Sequence, residues 1–217
     1  MTEIRPSRFG ILPSVVKNLL IINGLVFLTQ NTFGGPTSNF SIDDLFALHA
    51  WQSGLFKPWQ LVTHMFLHGS MSHIFFNMLA LWMFGSILEN VWGSKRFLTF
   101  YLICGLGAAL MHLLFLSYEM IPLMKDYAAI FQERAFGNGS QNTAIIRFIT
   151  KYPVGFQNTS ELISYLQTNP GNTDLTPRLF EAITSYYQHS LNTATLGASG
   201  AVFGILAAFG YLFPNTY

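Results

Sequence analysis

Long apolar stretches alternate with more polar segments along this chain of 217 residues. A helix that crosses a bilayer needs about 20 mostly apolar residues. Stretches of this kind lie at approximately 15–33, 73–91, 97–116 and 194–213, and the last two hold no Asp, Glu, Lys or Arg. The pattern predicts an all-α fold, a polytopic membrane helical bundle with four membrane helices.

Residues 117–193 are more polar than the stretches on either side and predict an inserted, water-facing helical segment. The sequence at 158–161 resembles a capped helix start. Thr176 and Pro177 predict another start, since proline is favoured at the first helical position. The chain is therefore divided into three parts: 1–116 with three membrane helices and the first loop, 117–193, and 194–217 with the last membrane helix.

The composition favours a membrane protein over a soluble one. Only 10% of the residues are charged and the mean hydropathy is +0.37, whereas soluble domains carry roughly 25% charged residues. A net charge of +1 argues against a nucleic-acid partner, which calls for a clustered basic face. Cys104 is the single cysteine, so the chain forms no internal disulfide.

Basic residues in short segments set the orientation of membrane helices, because they are retained on the inner side. They stand before or at the start of the first predicted helix and in the turn after the second: Arg5, Arg8, Lys17, Lys95 and Arg96. The N-terminus is therefore predicted inside, with 34–72 and 117–193 outside. Ser199 then lies roughly one to two helical turns below the outer face.

Four polar residues precede or begin the second apolar stretch: His64, His68, His73 and Asn77. His73 and Asn77 are four residues apart, so they share one helix face. Polar side chains in a membrane helix are costly and mark either a functional site or a buried polar pair. The spacing alone leaves both interpretations open.

A zinc site is the second interpretation of these histidines. His64 and His68 have the spacing with which two ligands grip zinc from one helix. A zinc protease of this kind needs a glutamate between the two, and Met65, Phe66 and Leu67 fill that gap. We predict no metal and no cofactor.

Ser199 lies in the sequence Gly197-Ala198-Ser199-Gly200 at the start of the last apolar stretch. Gly200 and Gly204 form a small-residue pattern that permits close helix approach. Packing explains these glycines and leaves the serine between them unexplained. A serine hydroxyl in such a place has the position of a nucleophile, provided that a neighbouring helix supplies a base.

Taken together, these residues resemble the rhomboid intramembrane serine proteases. The matching first-loop and second-helix residues are Trp59, Gln60, His64, His68, His73 and Asn77. Gly197 to Gly200 match the family's G-x-S-G motif, and Glu89 and Gly93 stand where the family has a Glu and a Gly. The resemblance covers approximately residue 11 to the end, apart from the insertion.

The resemblance implies a role for each matching residue. Ser199 would be the nucleophile, and its backbone N–H, the His73 ring and the Asn77 amide would form the oxyanion hole. The structural residues would be His64, His68, Glu89, Gly197, Gly200 and Trp59; Gly197 would leave room beside the oxyanion and Glu89 would tie helix ends together. The implied substrate is a transmembrane protein in the lipid bilayer.

In the family the base is a histidine on a later membrane helix, and the chain ends at Tyr217 before such a helix begins. We assign neither His112 nor His189 as the base. The resemblance thus implies four of six core helices and a parent that cleaves membrane-spanning substrates near the outer face by a Ser–His dyad. We expect this chain alone to be inactive.

The alternative is a non-catalytic rhomboid-like module that binds transmembrane segments. The lack of a base favours it, and the joint presence of Ser199, His73 and Asn77 favours the protease. We predict a multi-pass protein of a bacterial plasma membrane.

Overall fold

A computed structural model of the chain describes residues 10–33, 41–135, 141–156, 158–169 and 176–214. The regular structure of these residues is helical, and their backbone pairing outside helices is an antiparallel bridge between Leu48 and Thr195. The all-α prediction is therefore confirmed. Arg5 and Arg8, which enter the predicted orientation, lie outside the described residues.

The chain divides into two compact units, the first running to Leu114 and resuming at Ala194, the second spanning Phe115–Thr193. The helices are α1 Ser14–Phe33, α2 Ile42–Phe46, α3 Gln60–Thr63, α4 Met71–Ala80, α5 Ser86–Trp92, α6 Ser94–Ala135, α7 Gln141–Lys151, α8 Thr159–Thr168, α9 Thr176–Leu191 and α10 Ser199–Leu212. A 3-10 turn, His64–Phe66, follows α3, and a π-helical turn, Leu81–Gly85, joins α4 to α5.

Two helix bounds differ from the sequence-based ones. The third helix, predicted to end at 116, continues as α6 to Ala135 and includes Pro122. The predicted end at 116 marks where the apolar stretch ends. The helix continues beyond it because each further helical residue still adds a backbone hydrogen bond. The last helix begins at Ser199 instead of 194, because Thr195 pairs with Leu48 and Gly197 has a φ of +127°.

Two helical segments of the described residues are long and apolar enough to cross a membrane: Met71–Trp92 and Ser94–Glu133. The first segment comprises α4, the π-helical turn and α5. The other two predicted spans do not reach this standard. Helix α10 is apolar but has only 14 residues, and α1 carries Asn23, Gln30 and Asn31 among its apolar residues.

The core of the first unit forms where α4, the π-helical turn and α5 pack between α1 and α10. Its buried side chains include Val16, Leu19, Leu81, Leu88, Phe97, Tyr101, Val202 and Ile205. These apolar side chains are buried and closely packed, and their packing fixes the relative positions of the helices. This packing places the N-terminal ends of α4 and α10 beside each other.

Helix α10 crosses α6 at two glycines. A Cβ on Gly200 would collide with the Cβ of Ala108, and one on Gly204 would lie 2.5 Å from the Cys104 Sγ. Close helix approach of this kind requires small residues at the contact, here the two glycines of α10.

We expect Gly204→Ala to destabilise the folded chain by about 1–3 kcal/mol, because the new methyl group overpacks the contact with Cys104. The free energy of unfolding in mixed micelles measures the effect. Gly210→Ala in the same helix is the matched control, since a Cβ there meets no atom within 4 Å, and alanine favours a helix over glycine. Equal effects of the two variants would contradict this description of the α6–α10 contact.

The second unit has a hydrophobic core of its own, contributed by the second half of α6 together with α7, α8 and α9. Its buried residues include Leu123, Ile130, Phe148, Leu166, Leu179 and Ile183. The rings of Tyr127 and Tyr187 stack at 3.9 Å, and Lys151 pairs with Asp126 at 2.7 Å. The sequence did not predict α7 as a separate helix.

Candidate active site

Ser199 is the first residue of α10 and directly follows a turn that contains Gly197. Gly197 has a φ of +127°, a conformation that residues with a side chain rarely adopt. The Gly197 N–H donates to the backbone carbonyl of His64 at 2.9 Å. The turn is thus held against the first loop and presents Ser199 at the N-terminus of an apolar helix.

The His73 ring lies directly against Gly197 and close to Ser199. A Cβ on Gly197 would lie 2.7 Å from His73 Cε1, 2.8 Å from its Nε2 and 3.7 Å from Ser199 Oγ. The hydroxyl and the imidazole therefore approach the same point, which glycine leaves empty. A side chain at Gly197 would occupy the space that a reacting group between them needs.

Asn77 lies one helical turn beyond His73, on the same face of α4. It is buried, and its Nδ2 donates to the His73 carbonyl at 3.0 Å. A carboxamide nitrogen has two hydrogens, so one remains available as a donor. His73, Asn77 and Ser199 line a common cavity of about 380 Å³ between α4 and α10.

A second cavity, of about 150 Å³, lies beside Ser199 and Gly200 and is lined by residues of the first loop and α6. Two histidines contribute to its wall, His64 and His112. The His64 Nδ1 bonds to the Gln60 carbonyl at 2.8 Å. Ser199 thus borders a cavity on each side.

None of the described residues forms a hydrogen bond with the Ser199 hydroxyl. His112 bonds instead to the Thr195 hydroxyl, at 2.7 Å from its Nε2. His189 belongs to the second unit. Neither histidine is assigned as the base.

Gln60 organises the first loop, a role that the sequence did not reveal. Its side chain is fully buried. Its Oε1 accepts from the Lys57 and His49 N–H groups, and its Nε2 donates to carbonyls that include Leu55 at 2.9 Å. Trp59, which is half exposed, donates from its indole to the Leu45 carbonyl at 2.9 Å. Such satisfied buried amides fix loop geometry.

Gln30 of α1 connects the first loop to the membrane helices. Its Oε1 accepts from the His68 N–H at 3.0 Å and its Nε2 donates to Asp43 at 2.9 Å. The His68 ring in turn meets the His73 ring edge to face, with centroids 5.1 Å apart. The signal in the sequence was a polar residue within an apolar helix.

The pKa of His68 is lowered to about 4, first by burial of the ring and second by the charge of His73. An ordinary histidine has a pKa of about 6.5. Between these two values the unfolded chain binds a proton that folded His68 does not. Folding stability therefore falls as the pH drops from about 6.5 towards 4.

We expect His68→Gln to make the unfolding free energy less dependent on pH across this window. Unfolding in mixed micelles at several pH values between 7.5 and 4.5 measures the slope. Burial also lowers the pKa of His64, so part of the slope should remain. The exposed His189→Gln is the control. A slope that His68→Gln leaves unaltered would refute the assignment.

Glu89 joins the far ends of three helices. Its buried carboxylate accepts from the Val16 N–H at 2.8 Å, the Val15 N–H at 3.0 Å and the Ser94 hydroxyl at 2.6 Å. A carboxylate at a helix N-terminus satisfies free N–H groups and interacts favourably with the helix dipole. Glu89 thus caps α1 and ties it to the junction of α5 and α6.

Within the described part of the chain, no group of three or more His, Cys, Asp or Glu side chains is arranged to hold a metal ion. The expected lack of a metal stays a prediction.

Comparison with known proteins gives one family. The Rhomboid domain family model matches residues 55–130. This range includes His64, His68, His73, Asn77 and Glu89, and ends before Ser199. No solved structure matches the chain.

Several rhomboid proteins are similar to this chain. Rhomboid protease GluP of Bacillus subtilis (strain 168) is 31% identical over 109 residues, which are 49% of this chain and 21% of the relative. Rhomboid protease AarA of Providencia stuartii is 34% identical over 109 residues, 49% of this chain and 39% of the relative. RHOMBOID-like protein 6, mitochondrial, of Arabidopsis thaliana is 36% identical over 92 residues, which are 42% of this chain and 29% of the relative.

The aligned part of the chain thus spans between 21% and 39% of the length of these three relatives. The apolar helices and the relatives together indicate an integral membrane protein. The part of the chain at residues 55–130 thus matches the Rhomboid domain family, and over 109 residues the chain is similar to rhomboid proteases.

Proposed function

We propose that this chain carries the nucleophile and the oxyanion hole of an intramembrane serine protease. The observation that carries the proposal is the common point approached by the His73 ring and Ser199 Oγ, with a positive-φ glycine beneath it. The relatives named as rhomboid proteases support the same reaction class.

In the proposed reaction the Ser199 Oγ attacks a peptide carbonyl carbon and passes its proton to a base. The carbonyl oxygen becomes an oxyanion, which the Ser199 N–H, the His73 ring and the Asn77 amide stabilise. The C–N bond then breaks, the amine leaves with the proton, and water hydrolyses the acyl-enzyme. The base is a histidine, and none of the described histidines is assigned to it.

The substrate is proposed to be a membrane-spanning protein. The cavity between α4 and α10 carries exposed apolar side chains at its rim, among them Phe76 and Phe203, beside the polar trio. Such a cavity suits an apolar polypeptide whose carbonyl must reach Ser199. The positions of Lys95 and Arg96 support an orientation that places the site near the outer face, with the N-terminus inside.

The test uses the full-length product of the gene that encodes these residues, purified in detergent. A fluorophosphonate probe is expected to label it at Ser199, and a transmembrane reporter is expected to be cleaved. Ser199→Ala should abolish both signals and leave the far-UV circular dichroism unchanged. Cleavage without labelling, or labelling that persists in Ser199→Ala, contradicts the proposed nucleophile.

A non-catalytic module gives a different result in the same experiment. It would bind the reporter with equal affinity in the wild type and in Ser199→Ala, without labelling or cleavage. A folded full-length protein that behaves in this way would reject the protease.

A further inference from the structure

We propose that His112 and Thr195 form a clamp that positions the Ser199 turn for catalysis. The inference rests on the proposed function and adds positioning residues that do not themselves touch the reacting atoms. The clamp is the hydrogen bond between His112 Nε2 and Thr195 Oγ1, 2.7 Å long and partly buried.

Thr195 is the best-anchored residue of the segment that leads into α10. Its N–H donates to the Leu48 carbonyl and its carbonyl accepts from the Leu48 N–H, both at 2.8 Å. With the His112 bond, its backbone and side chain are held from two directions, by the first loop and by α6. Two residues later the Gly197 N–H is bound to the His64 carbonyl at 2.9 Å.

These contacts constrain the backbone two residues before the nucleophile. Gly197 keeps a φ of +127° while the His73 ring rests against it. Glycine is conformationally permissive, so its surroundings are what hold it in one conformation. Ser199 is only four positions after Thr195. Backbone motion at Thr195 would therefore change the direction in which the Ser199 hydroxyl points.

The two residues of the clamp also lie near the boundaries of the first unit in the sequence. His112 precedes the last residue of that unit's first part, Leu114, by two positions, and Thr195 follows Ala194. The bond joins residues 83 positions apart. It therefore links the two parts of the first unit, which are separated in sequence by residues 115–193.

The first experiment measures backbone exchange in the 217-residue chain and needs no activity. Thr195→Val replaces the hydroxyl by a methyl group of similar size, and Thr195→Ser retains the hydroxyl. In Thr195→Val, the hydrogen–deuterium exchange rates of the residue-195 and Gly197 amides in nanodiscs are expected to rise about fivefold to tenfold. This factor corresponds to the loss of one hydrogen bond. Thr195→Ser should remain within twofold of the wild type, and His112→Leu should match Thr195→Val.

The second experiment measures fluorophosphonate labelling of Ser199 in the full-length protein. Thr195→Val and His112→Leu are each expected to lower the maximal labelling rate about tenfold, with the probe concentration at half-maximal rate and the melting temperature little changed. The double variant should be no slower than either single one, because both remove the same bond. Recovery in Thr195→Ser separates positioning from a general packing role.

The clamp is overturned if Thr195→Val and Thr195→Ser exchange alike, or if the double variant combines the two losses additively. An unlabelled but folded wild type overturns the proposed function instead, and the exchange measurement still decides whether the clamp exists. If Thr195→Val does not fold, His112→Leu answers the same question from the other partner.

Discussion

Replacement of Asn77 by alanine is expected to lower kcat for a transmembrane reporter by about 10²–10³-fold, with little change in KM. One donor of an oxyanion hole is worth this much, because it bonds to charge that develops only in the transition state. Asn77 is buried in the cavity that Ser199 lines, and only one hydrogen of its amide is committed, to the His73 carbonyl. Cleavage kinetics of the full-length protein measure the loss.

A matched control separates catalysis from helix stability. Asn31 makes the same bond to the carbonyl four residues earlier, Phe27, at 2.8 Å, but on the exposed end of α1. Asn31→Ala should therefore leave kcat unchanged. If Asn77→Ala and Asn31→Ala reduced cleavage equally, or if KM alone rose, Asn77 would have no place in the oxyanion hole.

Glu89→Ala is expected to lower the free energy of unfolding by about 3–5 kcal/mol, the largest stability effect predicted for the chain. The substitution removes the acceptor of one buried and one partly buried N–H group, and each unsatisfied buried group costs roughly 1–3 kcal/mol. Val15 and Val16 lose the cap of α1, and Ser94 loses its acceptor at the start of α6. Unfolding in mixed micelles measures the change.

Glu89→Gln distinguishes the cap from simple loss of volume. Glutamine has nearly the same size but offers one acceptor oxygen and brings two donors where the site supplies donors. We expect the free energy of unfolding of Glu89→Gln to lie between those of the wild type and Glu89→Ala. Stability of Glu89→Gln equal to that of the wild type would show that charge and the second acceptor contribute nothing at this position.

Sequence patterns identified residues whose chemistry is unusual for their surroundings. His73, Asn77 and Ser199 are polar residues near apolar stretches, and in the structure all three line one cavity. Glu89 was predicted to tie helix ends, and it contacts the starts of α1 and α6. The catalytic roles of the first three remain predictions.

Other features depend on long-range contacts that leave no local pattern. Thr195 and His112 are ordinary residues in sequence, and only the fold brings them to 2.7 Å. Gln60 matched the family pattern in sequence, but its hydrogen bonds within the first loop are visible only once the loop encloses it. The end of α6 at Ala135 was missed because hydropathy reports where a helix leaves apolar surroundings, whereas the helix itself continues as long as its backbone hydrogen bonds do.

The π-helical turn at Leu81–Gly85 preserves the angular phase between the two halves of the span that contains it. A turn of this kind accommodates about one extra residue in an α-helix, and each α-helical residue corresponds to a rotation of about 100°. Deletion of a single residue here would convert the π-helical hydrogen-bond pattern into that of a regular α-helix. Because the turn takes up that residue without adding rotation, the two halves would keep their phase, with His73 on the face towards Ser199 and Glu89 beside its partners.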